Sequence, residues 1–140
     1  MTITDFTLRL FIALLAGLAI GFERQWHHKT AGLKTNMLVA TGAAIFVLLS
    51  FILKEEESSI DITRIIGQVV TGVGFLGAGV IFREGADVHG LGSASTIWCS
   101  AAIGCIAASG LYLETLICTL LVVIVNSFLS PLDTWLKNRK

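Results

Sequence analysis

Apolar residues run almost unbroken through five stretches of the chain, at 6–22, 37–53, 65–82, 91–110 and 115–132, and charged residues collect in the short segments between them. Each stretch approaches the roughly 17 to 25 residues a helix needs to cross the hydrocarbon core of a bilayer. The pattern predicts an all-α polytopic membrane protein of five transmembrane helices, with residues 1–140 forming one transmembrane domain. Composition points the same way: 54% of the residues are hydrophobic and 14% charged, and the mean hydropathy is +0.81, outside the range of soluble domains. The first stretch is not a cleaved secretory signal, because Arg9 lies inside it and Glu23-Arg24 stand where small cleavage-site residues belong.

Charge placement sets the expected orientation. The segment after the first helix carries Arg24, Lys29 and Lys34, whereas the segment after the second reads Lys54-Glu-Glu-Glu57 and continues to Asp61. Seven basic residues (Arg24, Lys29, Lys34, Arg83, Lys137, Arg139, Lys140) fall on one side and two (Lys54, Arg64) on the other. By the positive-inside rule the basic side is cytoplasmic, which puts the N-terminus outside and the C-terminus inside. Trp26 and Trp135 at inner helix ends agree with it. With ten basic residues balanced by ten acidic ones, no basic stripe exists for nucleic acid.

In lipid, helices associate through close backbone approach and interhelical hydrogen bonds rather than through hydrophobic burial. Small residues therefore mark the expected packing faces: Gly17 and Gly21 in helix one, Gly72, Gly74, Gly77 and Gly79 in helix three, and Gly104 among the serines and alanines of helix four. Helices three and four are the expected tightly packed centre, and helix five the expected lipid-facing wall. The same faces could join copies of the chain in a homodimer or other homo-oligomer, or be absorbed within one copy. Gly72-Val-Gly74-Phe-Leu-Gly77 matches the dinucleotide-binding spacing, but that mechanism needs a strand, a turn and a helix N-terminus. Here the glycines lie within a continuous membrane-length segment, where they serve packing or break the helix near mid-membrane.

The chemistry-capable residues are few. Glu23 and Arg24 follow helix one, and Arg83, Glu84, Asp87 and His89 follow helix three. The two hairpins of helices one–two and three–four are similar in sequence, which would bring their loops into one surface. There the charges pair with one another, recognise a partner, or frame an anion site with Gly92, Ser93 and Ser95 at the start of helix four. Arg9, Gln68 and Asn126 are the membrane-embedded polar candidates. Arg9 either snorkels to the headgroups or pairs with Asp5, Glu114 or a substrate anion, and Asn126 needs a hydrogen-bond partner in lipid. Neither acidic cluster, Glu84/Asp87/His89 or Glu55–Glu57/Asp61, has a spacing that specifies a metal, so no metal or cofactor is expected. Cys99, Cys105 and Cys118 read as small packing residues. No nucleophile, base and orienting group stand together, so the chain is not expected to be an enzyme.

Taken together, Gly21-Phe-Glu23-Arg24-Gln25-Trp26, Ala31-Gly32-Leu33-Lys34-Thr35-Asn36, Gly74-Phe-Leu-Gly77-Ala78-Gly79, Arg83-Glu84-Gly85 and Thr96-Ile-Trp98-Cys99-Ser100-Ala101-Ala102 closely resemble the MgtC/SapB family of bacterial cytoplasmic (inner) membrane proteins. The resemblance extends over essentially the whole chain. It implies a non-enzymatic regulator or adaptor linked to magnesium homeostasis, to adaptation to low magnesium and, in pathogens, to virulence and survival inside host cells. It further implies action on another membrane complex such as the F-type ATP synthase; the alternative is a small transporter of magnesium or another solute. The sequence departs from the family pattern at Gly92, where relatives usually have Asn or Thr, and at Ser95, where Ala is usual. Many relatives continue into a soluble α/β domain, whereas this sequence ends at Lys140, so only the membrane domain is covered by the resemblance.

Overall fold

The computed structural model describes residues 1–57 and 59–137, with side chains as far as 129. It contains five helices: α1 (Ile3–Trp26), α2 (Leu33–Glu56), α3 (Ile62–Gly79), α4 (Leu91–Ala108) and α5 (Tyr112–Lys137). All five are long and apolar enough to cross a membrane. The basic residues Arg139 and Lys140 lie outside the described residues.

Each helix ends for a local chemical reason. Thr2 caps α1 by accepting from the Asp5 amide. At its far end the Lys29 amide donates to Arg24 O at 3.0 Å and the His28 amide to Gln25 O at 3.1 Å, the paired bonds of a Schellman motif. His28, at φ 52, takes the left-handed position where glycine is usual. α4 ends in the same way, with Gly110 at φ 78. Asp61 caps α3, accepting from Thr63 Oγ1 at 2.6 Å and from the Thr63 amide at 2.9 Å.

Those bonds, the hydroxyl first and the amide second, hold the Asp61 carboxyl below its ordinary pKa. A depressed carboxyl contributes stability above the ordinary carboxylate range and loses it as pH falls through the depressed value. Asp61→Ala is therefore expected to speed hydrogen exchange of the Thr63 amide at neutral pH, while the wild type frays in that way only in acid. Equal exchange in both proteins at neutral pH would refute the cap.

The packed centre differs from the sequence expectation. It is formed by α1, α2 and α4, whose mutual contacts are the densest in the molecule. A Cβ built at Gly17 would lie 2.7 Å from Asn36 O, at Gly21 2.7 Å from Leu33 Cα, and at Gly104 2.1 Å from Ala40 O. These three glycines let helix backbones touch, as expected. α3 is peripheral: it buries only Val69, Val73 and Gly77, the last against Ala94. Gly72, Gly74 and Gly79 meet nothing within 4 Å, so within one chain they are not packing residues. Asn36, buried between the helices, donates to Ala31 O and Gly32 O and accepts from Ser100 Oγ at 2.8 Å.

α3 begins and ends three residues earlier than the apolar run suggests. The chain then forms an antiparallel hairpin of β1 (Phe82–Glu84) and β2 (Asp87–His89), paired Phe82 to His89, Arg83 to Val88 and Glu84 to Asp87. Gly85, at φ 62, occupies the first position of the two-residue turn, where left-handed backbone matches the strand twist. Gly90, at φ 88, returns the chain into α4, and any Cβ there would strike Val80 O.

Candidate functional site

The loop after α1 and the hairpin after α3 meet at one end of the bundle. The Arg24 guanidinium donates through Nη2 to Ser93 Oγ at 3.2 Å, and the Thr30 hydroxyl donates to the same oxygen at 3.0 Å. Arg24 is 4% exposed and Ser93 also 4%. The expectation that Arg24 lies on an open recognition surface is thus corrected, as is that for Glu23, 7% exposed. Both occupy the last turns of α1 among its buried residues. Arg83, Glu84 and Asp87 are exposed along the hairpin, where Arg83 Nε donates to Gly85 O at 2.9 Å.

Beside the Arg24–Ser93 contact lies a cavity of about 380 Å³ whose polar lining comes from Arg24, Lys29, His89, Gly92, Ser93 and Asn126. Among the described side chains none that lines it is acidic. Arg24 Nε is buried and has no hydrogen-bond acceptor among the described residues. Ser93 Oγ receives two donors, so its own proton is free for a further acceptor. α4 starts there with Gly90 as N-cap and no side-chain cap, which leaves the first amides of the helix without intrahelical acceptors.

Asn126 has its expected partner in Thr96, 3.2 Å away. The Thr96 hydroxyl has a single proton, and Gly92 O is nearer at 2.8 Å. The amide orientation that satisfies both groups is the one in which Asn126 donates to Thr96. Glu23 lies behind the cavity. Its Oε1 is 3.0 Å from His27 Nδ1, but that nitrogen is also 2.9 Å from Glu23 O, and one N–H cannot serve both fully. Ser95, expected at the anion site, instead donates to Leu91 O and is exposed.

Arg9 sits at the opposite end. It pairs with Asp5 through Nη2–Oδ2 at 2.9 Å and Nε–Oδ1 at 3.0 Å, and donates through Nη1 to Ala108 O at 3.0 Å. A cation there satisfies a terminal carbonyl of α4 and complements its dipole. Gln68 lines a third region, a cavity of about 580 Å³ between α2 and α3 that is otherwise apolar. Arg9, Gln68 and Asn126 therefore line three separate cavities and not one path. Among the described residues no group of three His, Cys, Asp or Glu side chains could hold a metal.

Asn36 and Ser100 escaped sequence reasoning as a pair. The available signal was a carboxamide immediately before the second apolar stretch and a serine in the small-residue face of α4.

The family model described as the MgtC family matches residues 10–135. "Protein MgtC" of Brucella abortus is 49% identical over 120 residues, which are 86% of this chain and 49% of that protein. "Protein MgtC" of Salmonella typhimurium is 46% identical over 129 residues, 92% of this chain and 54% of the relative. An uncharacterised protein of Synechocystis is 45% identical over 132 residues, 94% and 55% of the two chains. The chain thus spans about half the length of the curated relatives it matches. No solved structure matches.

Proposed function

We propose, from the premise that the chain belongs to the MgtC family, that it is a non-enzymatic membrane adaptor that acts on another membrane complex when magnesium is scarce. The observation that carries this reading is the hairpin Phe82–His89. It projects from the bundle with both strands exposed, its charges unburied, beside the loop after α1. A short two-stranded ribbon is marginal by itself, and it presents Arg83 next to the cross-strand carboxylates Glu84 and Asp87, a charge pattern that a partner can read. The basic bias of this end supports a cytoplasmic position, from which the chain would reach an assembly such as the F-type ATP synthase.

Arg83→Gln with Glu84→Gln is expected to abolish co-purification of membrane partners from cells grown at low magnesium, while helical content and detergent stability stay unchanged. Exposed charges of this kind contribute within about 0.5 kcal/mol to folding. Undiminished co-purification would count against the hairpin as the contact.

The α2–α3 cavity favours a second reading, passage of a solute. It predicts water at mid-membrane, so thiols placed near Gln68 and Gly74 should react with membrane-impermeant reagents. The apolar lining predicts that they will not.

A further inference from the structure

We propose that the cavity between Arg24, Lys29 and the start of α4 is a binding site for a phosphate-type oxyanion, supplied as inorganic phosphate or as a phospholipid headgroup. The carrying observation is a convergence of donors without acceptors. Arg24 Nε is buried and unpartnered among the described residues. The Ser93 hydroxyl already accepts from Arg24 and Thr30, and its own proton has no acceptor among the described residues. The opening amides of α4, a helix of 18 residues, have no capping side chain. Arg24, Ser93 and Gly92 all belong to the lining of the one cavity, as does Lys29.

A buried donor without an acceptor costs stability, and three in one place call for a common acceptor with several oxygens. An oxyanion supplies it. The N-terminus of α4 carries the positive end of the helix dipole, and the guanidinium matches tetrahedral oxyanions through planar, paired N–H groups. The Glu23 carboxylate offsets part of the Arg24 charge from behind without entering the cavity. Among the described side chains, Arg24 and Lys29 against Glu23 leave one net positive charge for the ligand. The opposite wall is formed by Val125 and Leu129 of α5, both exposed on a helix that crosses the bilayer. The site can therefore also admit a headgroup whose acyl chains remain in lipid.

The informative variant is Gly92→Asp. A Cβ at Gly92 meets nothing within 4 Å, and a carboxylate in the first turn of a helix is favourable, so the variant folds while placing its own acceptor in the cavity. Lys29→Gln, at an exposed loop position, is the second. The full chain in neutral detergent is titrated with inorganic phosphate by calorimetry. In parallel, the chain is placed in phosphatidylcholine nanodiscs with and without phosphatidic acid, and retained lipid is counted by native mass spectrometry.

Phosphate binding that weakens at least tenfold in Gly92→Asp and severalfold in Lys29→Gln, the loss expected for charge-assisted hydrogen bonds, supports the site with a soluble ligand. Phosphatidic acid retained by the wild type and lost by Gly92→Asp, without phosphate binding, supports it with a lipid ligand. Binding of neither probe to the folded wild type overturns the site, and so does binding that Gly92→Asp leaves unchanged. No partner complex enters the measurement, so oxyanion binding and the adaptor reading stand or fall separately.

Discussion

Gly104→Ala is expected to destabilise the bundle by about 3 kcal/mol, the upper range for overpacking a close-packed interior, and Gly104→Leu to prevent folding. The added Cβ would lie 2.1 Å from Ala40 O and 2.9 Å from Ala40 C, against an ordinary contact of 3.4–4 Å. Both sides of the contact are main chain, so no side chain can rotate away. α2 and α4 would have to part by about 1 Å along the face where both bury most, and packed interiors do not absorb such a shift locally. Gly74→Ala supplies the opposite sign. Nothing lies within 4 Å of that position, and alanine is favoured over glycine within a helix by about 0.5–1 kcal/mol. Denaturation in mixed detergent micelles, monitored by circular dichroism, reads both. A Gly104→Ala protein as stable as the wild type would contradict the close approach of α2 to α4. A Gly74→Ala protein that loses stability would point to a second copy covering α3, one of the two fates open to the small-residue faces.

Asn36→Leu is expected to cost about 2 kcal/mol. The carboxamide is fully buried and satisfies three groups, yet the three losses are unequal. Gly32 O keeps the Asn36 amide as a donor, at 3.2 Å. Ser100 can turn its hydroxyl back to its own helix, as serine does. Only Ala31 O loses its donor outright, at about 1–3 kcal/mol for a buried unpaired carbonyl. Ser100→Ala should cost less, since single interhelical hydrogen bonds in membrane proteins average about 0.6 kcal/mol. A double-mutant cycle over Asn36 and Ser100 should return a coupling of that order. A coupling of zero would mean that the two side chains do not meet.

What the sequence made legible follows from what each signal measures. The five spans were readable because a bilayer imposes length and hydropathy on a helix irrespective of its neighbours. That Asn126 needs a partner, and that Asp5 is one of the partners open to Arg9, were readable because an intramembrane polar group demands one. The packing centre was not, because a glycine count reports how many close approaches a helix could make and not which face meets another backbone. α3 has more glycines than α1, yet Gly17 and Gly21 are covered while Gly72, Gly74 and Gly79 are open. The hairpin was hidden because three-residue strands hold too few alternations to separate them from a helix end. The burial of Arg24 was hidden because a charge at the end of an apolar span reads as interfacial. Its contact with Ser93 of α4 is made only in the folded bundle.

The central trio α1, α2 and α4 is interrupted in the chain by α3, and that spacing bears on the order in which the protein is assembled during synthesis. The first hairpin can close as soon as α2 emerges, since Gly17 and Gly21 meet residues of the adjoining loop and helix. Asn36 is then nearly self-sufficient, its amide nitrogen serving Ala31 O and Gly32 O within that hairpin. One acceptor, its Oδ1, stays unmet while α3 enters the bilayer, and the Ala40 backbone stays uncovered. The arrival of Ser100 and Gly104 meets both needs with a single helix. α3 thus serves as a spacer that delays closure, and the bundle locks only when the fourth span has been made.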